Sequence, residues 1–313
     1  MAELFLSGNQ RSGKTLVQLI LASHPEITIS PGTNVIAKVL YGHRHDRPLT
    51  PEALRAVRAV MQKDRKLKAW RVDHRAYQAL VAGYAERLPT PKQFVHDLMS
   101  FFRDQTKPGA RYVGNKKGCY CREGDLVKRI FPEAKLVFLL RDARGAVASM
   151  LETQPEHDLE SAALLWTSKA QRIRTIAAAF PRDCFVVRYE RLVADPEAES
   201  RALCRFLGLD YAPEMLSGYR TNDAIRHATD TTHHETYQAI TTSMVDAWRS
   251  DLRPEQIEAI EGIAGHELAA HGYAPTVLRE RMEKSARARY RWLRTRDAAS
   301  FWLAHERRKR AIG

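Results

Sequence analysis

The sequence predicts an α/β protein whose central parallel sheet is covered by helices on both faces. Residues 3–7, Lys135–Leu140 and Cys184–Arg188 are short apolar runs of the kind that form parallel strands buried on both sides. Segments with helical spacing of apolar residues separate these runs, and strands that alternate with helices favour a three-layer α/β/α arrangement. The chain has 313 residues, of which 44% are hydrophobic, so it can fold around a substantial core.

The first half of the chain predicts one strand, a long helical region and a second strand. After the strand at 3–7, residues 14–23 repeat apolar positions at helical spacing. The pattern from 33 to 103 is mainly helical, with Pro51 and Pro91 placed where helices can begin. A strand at 111–115 and a helix at 126–131 then precede the apolar run at Lys135–Leu140.

The second half of the chain predicts three helices and one polar loop before the last segment. Helices are expected at 143–151, at 196–207 with Gly208 as its end, and at 254–271 with Gly272 as its end. Residues 221–242 are polar and rich in His and Thr, which is typical of a loop. Residues 276–313 contain no Pro and no Gly before the last position, so we expect a long helix. The predicted division is therefore a domain at 1–275 and a helical C-terminal extension at 276–313.

Charge is unevenly distributed and indicates a polyanionic partner. The net charge is +13, and the extension at 276–313 contributes 12 Lys and Arg against 4 Asp and Glu. The extension can pack on the domain or on a second subunit, lie on a membrane surface, or dock an acidic acceptor. Nucleic-acid binding is not expected, because no recognition element accompanies the charge.

Cysteine usage and apolar patterning predict a soluble protein of a reducing, cytoplasmic compartment. Four cysteines are too few for a disulfide framework, and their spacing is a poor zinc pattern. The N-terminus lacks a basic and apolar leader, and no apolar run reaches the length of a membrane span.

Residues 8–15, GNQRSGKT, match the phosphate-loop pattern G-x-x-x-x-G-K-[ST]. The motif lies between the first strand and the first helix, where backbone N–H groups and the helix N-terminus form a positive concavity for phosphate. A nucleoside triphosphatase or kinase also needs an Asp after an apolar strand to support magnesium. Here Arg141 follows the strand, with Asp142 one step later and on the other side of an extended chain. A guanidinium suits a second phosphate, since it binds phosphate bidentately without a metal.

With these residues in view, the chain resembles the sulfotransferases that use 3′-phosphoadenosine 5′-phosphosulfate (PAPS) over about 270 residues. The resemblance implies the P-loop-like sulfotransferase fold and a 5′-phosphosulfate loop of the R-S-G-T-T type, in which Lys14 replaces the usual small hydroxyl residue. The segment LVFLLRDARGAVASM is similar to the family segment that grips the 3′-phosphate, which implies this role for Arg141 and Ser149.

Weaker similarities extend the resemblance along the chain. RYERLVADPEAESRALCRFLGL resembles a family segment whose tyrosine, here Tyr189, lies near the nucleotide, and AWRSDL resembles a late family segment. Loose similarity also suggests that Thr242 or Ser243 touches the nucleotide. The early segment SHPEITISPGTNVIAKVL is most similar to the tyrosylprotein branch. The donor-binding residues implied are Arg11, Ser12, Gly13, Lys14, Thr15, Leu16, Arg141, Ser149, Tyr189 and Ser243.

The resemblance also implies catalytic residues and a reaction without a metal. Arg11 and Lys14 are expected at the 5′ end of the donor, and Lys116 matches a family lysine close to the bridging oxygen. The catalytic base is missing, because the position of the glutamate of the tyrosylprotein branch is Gly32. Either a shifted base replaces it or the acceptor needs little base help. The possible replacements are His43, His45, Asp46, Asp73 and His74.

The predicted function is transfer of a sulfonate group from PAPS to an acceptor hydroxyl, with 3′,5′-bisphosphoadenosine (PAP) as product. The acceptor can be a sugar, a lipid, a metabolite or the phenol of a tyrosine in a peptide. His227, His233 and His234 are interpreted as loop residues with substrate contacts, since their spacing gives no zinc pattern. Two alternatives stay open: a phosphate-loop kinase that needs magnesium, and a nucleotide-binding homologue without activity.

Overall fold

A five-stranded parallel sheet forms the centre of the molecule. The computed structural model describes residues 1–68, 70, 72–154, 156–221 and 239–276. The strands stand in the order β2-β3-β1-β4-β5, and every neighbouring pair is parallel. Their bounds are β1 Ala2–Gly8, β2 Ile27–Ser30, β3 Tyr112–Lys116, β4 Lys135–Leu140 and β5 Cys184–Arg188.

Helices connect the strands and cover the sheet. The first half of the chain contains α1 Lys14–Ala22, α2 Asn34–Gly42, α3 Pro51–Lys63, α4 Arg65–Lys68, α5 His74–Arg87, α6 Pro91–Thr106 and α7 Gly124–Ile130. The second half contains α8 Ala143–Thr153, α9 Leu159–Ala179, α10 Tyr189–Ala194, α11 Pro196–Leu207, α12 Glu214–Ser217, a 3₁₀ turn at Tyr219–Thr221, α13 Trp248–Asp251 and α14 Pro254–Ala270.

Local sequence fixes the ends of several helices. Thr50 and Thr90 cap α3 and α6, each followed by a proline in the first helical turn. Gly208 ends α11 in the left-handed region with φ 66°, a conformation that glycine adopts without steric penalty. These cap residues explain why the sequence predicts the three ends correctly.

The core lies in two layers, one on each face of the sheet. Phe5 and Phe138 point into a cluster with the helices of one face, whereas Leu6 and Leu139 point into a second cluster with α1 and α11 on the other. Adjacent residues of a strand face opposite sides, so both faces of β1 and β4 must be apolar. This three-layer α/β/α arrangement confirms the predicted fold class.

The order of the strands creates a crevice at one edge of the sheet. The chain leaves the central strand β1 to build β2 and β3 on one side, and then crosses to build β4 and β5 on the other. In open parallel sheets, ligands bind beside the carboxyl ends of strands at such a reversal. The loop after β1, the end of β3 and the residues after β4 and β5 all meet at this edge.

The sequence missed the strand β2, the long helix α9 and the short helices α10, α12 and α13. The strand β2 is only four residues long, too short for a periodic pattern. The helix α9 buries Trp166, Thr167 and Lys169 together with apolar residues, so it lacks a clean apolar stripe. The predicted extension at 276–313 lies outside the described residues except for Thr276, and so do His227, His233 and His234. Among the helices that the structure describes, none is both long enough and apolar enough to span a bilayer.

Candidate functional site

A cleft of about 560 Å³ opens at the carboxyl edge of the sheet. It is built from the loop after β1, the start of α1, the ends of β3, β4 and β5, and the segment 239–244. All the residues that the sequence predicts for donor binding and catalysis line this one cleft: Arg11, Ser12, Gly13, Lys14, Thr15, Leu16, Lys116, Arg141, Ser149, Tyr189 and Ser243. Thr242, the alternative to Ser243, is not among the described residues that line it.

Two glycines shape the loop between β1 and α1. A Cβ atom at Gly8 would lie 2.3 Å from the carbonyl oxygen of Leu139, so the loop leaves the sheet where only glycine fits. Gly13 has φ 82°, and a Cβ there would lie 3.0 Å from the ring of Tyr189. Gly13 is also the N-cap of α1, and no side chain caps this helix. The first-turn N–H groups of α1 are therefore directed toward the cleft, as an anion site requires.

Side chains of the loop hold its shape through the Asn9 carbonyl oxygen. Ser12 Oγ donates to this oxygen at 2.8 Å, and Lys14 Nζ also donates to it. Lys116 Nζ, at the end of β3, donates to Thr15 Oγ1 at 3.0 Å. The structure thus brings Lys14, Thr15 and Lys116 to the same end of the cleft, where the sequence predicts the 5′ end of the donor.

The other end of the cleft is formed by Arg141, Ser149 and Tyr189. The Arg141 guanidinium lies over the Tyr189 ring, 4.7 Å from its centroid, and its NH2 donates to the carbonyl oxygen of Met244 at 2.6 Å. Arg141 Nε is buried and makes no hydrogen bond in the structure. Among the described residues, the Arg141 guanidinium donates only to carbonyl oxygens, those of Arg11 and Met244, so no carboxylate neutralises its charge and the site favours an anionic ligand.

Arg11 connects the two ends of the cleft. Its backbone is left-handed with φ 54°, and its Nε donates to Ser149 Oγ at 2.8 Å. Its carbonyl oxygen accepts a bond from Arg141 NH1 at 3.2 Å. The sequence assigns Arg11 to the 5′ end together with Lys14, but its side chain reaches the end that Arg141 and Ser149 form.

All the charged side chains among the described lining residues of the cleft are basic. Five cations line it, and none of the described lining residues is a carboxylate or a histidine; the five are Arg11, Lys14, Lys116, Lys117 and Arg141. Burial of its amine and the nearby Lys169, Lys116 and Arg11 lower the pKa of Lys14 to about 7, although Cys121 acts in the opposite direction. Burial also lowers the pKa of Lys169 on α9. A cluster of desolvated ammonium groups without a counter-charge favours a polyanionic ligand.

Gly32, the position at which the sequence lacks a catalytic glutamate, lies in the wall of the cleft. A Cβ atom there would stand 2.1 Å from the carbonyl oxygen of Lys116, so no other residue fits this backbone. The glycine is therefore required by the close approach of the chain after β2 to the end of β3.

None of the five candidate replacements for this glutamate is among the described residues that line the cleft. Asp46 pairs with Arg44 on the surface, which lowers the pKa of Asp46 to about 2. Asp73 caps α5 by accepting from the N–H groups of Arg75 and Ala76. His43, His45 and His74 also stand outside the lining, so the structure brings no predicted base to the cleft.

Asp142 is the residue that a magnesium-dependent kinase would need in the cleft. Its Oδ1 accepts from the N–H of Arg144, which caps α8, and its Oδ2 accepts from Arg144 NH2 at 2.5 Å. Arg144 therefore binds both oxygens, and Asp142 is not among the described residues that line the cleft. This geometry disfavours the kinase alternative.

The sequence missed several residues around the cleft. Gln10, Lys117, Gln154 and the backbone of Met244 contribute to its walls or bonds. Lys169 stands behind the loop, where its Nζ donates to Gln10 Oε1 at 2.5 Å. Lys117 adjoins Lys116 in the sequence and could have been noticed, whereas no pattern identifies a lysine in the middle of a helix such as α9.

Comparison with known proteins assigns the chain to a family. The family model described as "Sulfotransferase family" matches residues 3–213. The chain therefore belongs to the sulfotransferase family, and the resemblance seen in the sequence is confirmed. The matched region contains every predicted cleft residue except Ser243.

Curated relatives include eukaryotic proteins that are named protein-tyrosine sulfotransferases. The chain is 26% identical to protein-tyrosine sulfotransferase 2 of Gallus gallus over 69% of this chain and 53% of that protein. It is 26% identical to protein-tyrosine sulfotransferase A of Caenorhabditis elegans over 68% and 51% of the respective chains. The chain thus spans about half the length of these relatives.

Solved structures confirm the fold. The sulfotransferase domain of the Synechococcus PCC 7002 olefin synthase has a TM-score of 0.63 and 21% identity over 87% of this chain and 94% of that chain. The sulfotransferase domain from the curacin biosynthetic pathway has a TM-score of 0.59 and 19% identity over 87% and 98%. The described sheet and its helices are therefore a sulfotransferase fold.

The lowered pKa of Lys14 predicts that anion binding depends on pH. A bound anion favours the ammonium form, so affinity is greatest below pH 7 and falls above it, by at most tenfold per pH unit. We expect this slope for PAP between pH 7 and 9, above the pKa of about 6 of its phosphate, in isothermal titration calorimetry. Lys14→Met should remove the slope and Lys117→Met should keep it. A slope that persists in Lys14→Met would contradict this assignment.

Proposed function

We propose that the protein transfers a sulfonate group from PAPS to a hydroxyl group of an acceptor, without a metal. The observation that carries this proposal is the pair of anion sites at the two ends of one cleft. The uncapped N-terminus of α1 with Lys14 and Lys116 forms one, and Arg141 with Ser149 forms the other. A nucleotide with phosphates on its 5′ and 3′ positions has charges at two separate points and suits such a pair.

The residues around the loop suit the departing phosphate. The donor supplies an activated sulfonate: a bond from the acceptor oxygen to sulfur forms, the bond from sulfur to the 5′-phosphate oxygen breaks, and the acceptor proton is lost. Lys116 and the N–H groups at the start of α1 are placed to stabilise the charge that develops on that phosphate oxygen. Lys14 adds a cation when it is protonated.

Arg141 and Ser149 suit the 3′-phosphate. Arg141 lines the cleft, and among the described residues its guanidinium donates only to carbonyl oxygens. Ser149 Oγ already accepts from Arg11, so its hydroxyl proton is available for another acceptor. Arg11 reaches this end through its left-handed backbone and can bind the same phosphate bidentately. In this proposal Arg11 binds the 3′-phosphate of the donor, because its side chain already reaches Ser149 in the structure.

A phenol is the first acceptor to test. The described lining residues include no carboxylate and no histidine, so an acceptor that ionises easily has an advantage. The pKa of a tyrosine phenol is about 10, and nearby cations lower it. Two of the curated relatives carry protein-tyrosine sulfotransferase in their names, which supports a tyrosine in a peptide. Sugars, lipids and small metabolites stay candidates for the hydroxyl.

Nucleotide binding separates this function from the kinase alternative. We expect PAP to bind tightly in the presence of EDTA, because cations of the chain replace a metal. Isothermal titration calorimetry with PAP and with ATP, each with and without magnesium, measures this. Tight binding of ATP that requires magnesium, together with weak binding of PAP, would refute the proposal. PAP binding without turnover of PAPS on any peptide, sugar or lipid would support the homologue without activity.

The variant Arg141→Ala should lose affinity for the 3′-phosphate specifically. We expect PAP affinity to fall about 10- to 100-fold, because a hydrogen-bonded charge pair contributes about 1.5–3 kcal/mol. Affinity for 5′-AMP, which lacks the 3′-phosphate, should change little. Arg172→Ala is the matched control, since Arg172 also binds a backbone carbonyl but lies outside the lining. Equal losses for PAP and 5′-AMP would show that Arg141 does not contact the 3′-phosphate.

The variant Lys116→Ala should depress turnover more than donor affinity. Removal of one group that stabilises developing charge commonly lowers kcat by about 10²- to 10³-fold. The measurement is the rate of acceptor sulfonation followed by mass spectrometry, with Kd for PAP measured on the same variant. Lys117→Ala removes the adjacent cation and should lower kcat much less. An unaltered kcat in Lys116→Ala would remove this lysine from the mechanism.

A further inference from the structure

Residues 273–276 follow α14 and lie outside the cleft, yet two chains of hydrogen bonds connect them to Asp142. We infer that this segment braces the main chain beside Arg141, so that Tyr273 and Thr276 are positioning residues for binding of the 3′-phosphate. The inference rests on the proposed function, because it concerns the grip on the 3′-phosphate of the donor.

The first chain runs through Glu190. Tyr273 donates its hydroxyl proton to Glu190 Oε2 at 2.9 Å, and the N–H of Asp142 donates to Glu190 Oε1 at 2.8 Å. Glu190 directly follows Tyr189, whose ring carries the Arg141 guanidinium. One carboxylate therefore fixes the spacing between the end of β4 and the end of β5, the two elements that present this stacked pair.

The second chain runs through Glu261 and Arg144. The N–H of Thr276 donates to both carboxylate oxygens of Glu261 at 2.9 and 3.0 Å, and its hydroxyl donates to Oε1 at 2.7 Å. Arg144 NH1 donates to the same oxygen at 2.7 Å, and the rest of its guanidinium binds the Asp142 carboxylate. The side chains of Arg144, Asp142 and Glu261 are each at most 8% exposed.

Both chains end on the one residue that separates Arg141 from α8. The first holds the backbone N–H of Asp142 and the second holds its carboxylate, while Trp166 Nε1 donates to the Arg141 carbonyl oxygen at 2.9 Å. The main chain at 141–142 is thereby fixed at three points. Groups that bind a phosphate bidentately lose affinity when their orientation loosens, since ordering them must then occur on binding.

Tyr273 is the hydrogen-bond donor to Glu190 in the first series of hydrogen bonds, and its hydroxyl stays protonated. Burial, aided by the nearby Glu190 charge, raises the pKa of its hydroxyl, so the proton stays on oxygen at physiological pH. The Arg188 guanidinium lies 4.2 Å from the centroid of its ring. Phenylalanine keeps this ring contact, so Tyr273→Phe removes only the polar contacts of the hydroxyl, which are with Glu190 and Arg188.

The test compares PAP with 5′-AMP in Tyr273→Phe. We expect PAP affinity to fall about three- to tenfold, as loss of one hydrogen bond implies, while affinity for 5′-AMP stays unchanged. Tyr112→Phe is the matched control. Tyr112 is buried at the start of β3, among the amino ends of the strands and away from the cleft, and its hydroxyl donates to the Leu207 carbonyl oxygen at 2.7 Å. That control should leave the affinity ratio of PAP to 5′-AMP as in the unmodified protein.

A second pair of variants makes the result independent of one substitution. Glu190→Gln keeps an oxygen that accepts from the N–H of Asp142, so the affinity ratio of PAP to 5′-AMP should stay close to that of the unmodified protein. Glu190→Ala removes this acceptor and should lower the ratio at least as much as Tyr273→Phe does. An unchanged ratio in Tyr273→Phe and Glu190→Ala would overturn the brace, as would equal losses for both nucleotides. If the unmodified protein binds PAP and 5′-AMP equally, the proposed donor fails and the brace fails with it. Only this last outcome would contradict the proposed function; the others concern the positioning role of Tyr273 alone.

Discussion

Accumulation of positive charge at the carboxyl edge of the sheet is the constraint on which the rest of the site depends. Arg11, Lys14, Lys116, Lys117 and Arg141 converge there without a carboxylate or histidine among the described lining residues. Carbonyl oxygens partly compensate: Asn9 accepts from Lys14, and Met244 from Arg141. Dipoles cannot fully neutralise desolvated cations, so the ligand-free cleft is electrostatically unfavourable and a polyanion relieves it. The lowered pKa of Lys14 reflects the same imbalance.

Close backbone approaches allow this concentration of charge. Gly8 lies against the Leu139 carbonyl and Gly13 against the Tyr189 ring, so the loop can turn sharply between β1 and α1. The turn points the N-terminus of α1 at the place where the ends of β3 and β4 present Lys116 and Arg141. The apolar layers on both faces of the sheet hold these strand ends in register, so packing far from the cleft determines its geometry.

The sequence predicts what depends on local pattern and misses what depends on tertiary contact. The loop motif, the residues after β4 and the glycine ends of helices follow short-range rules, and apart from the side chain of Arg11 they lie where the sequence places them. Lys169 comes from the unpredicted helix α9, and the bond from Arg11 to Ser149 joins residues 138 positions apart. Neither the position of Lys169 nor the contact between Arg11 and Ser149 produces a recognisable pattern in the sequence. The route from Tyr273 to Asp142 is hidden for the same reason.

Gly32 shows that the missing base and the placement of Lys116 are linked. The carbonyl oxygen of Lys116 occupies the position that a Cβ atom of residue 32 would need. Any side chain there, glutamate included, would displace the end of β3 and with it the ammonium that binds Thr15. This backbone can therefore hold Lys116 in its present position or carry a carboxylate at residue 32, but not both. In the proposed reaction, with no carboxylate or histidine among the described lining residues, the cations of the cleft assist loss of the acceptor proton by increasing the acidity of the acceptor hydroxyl.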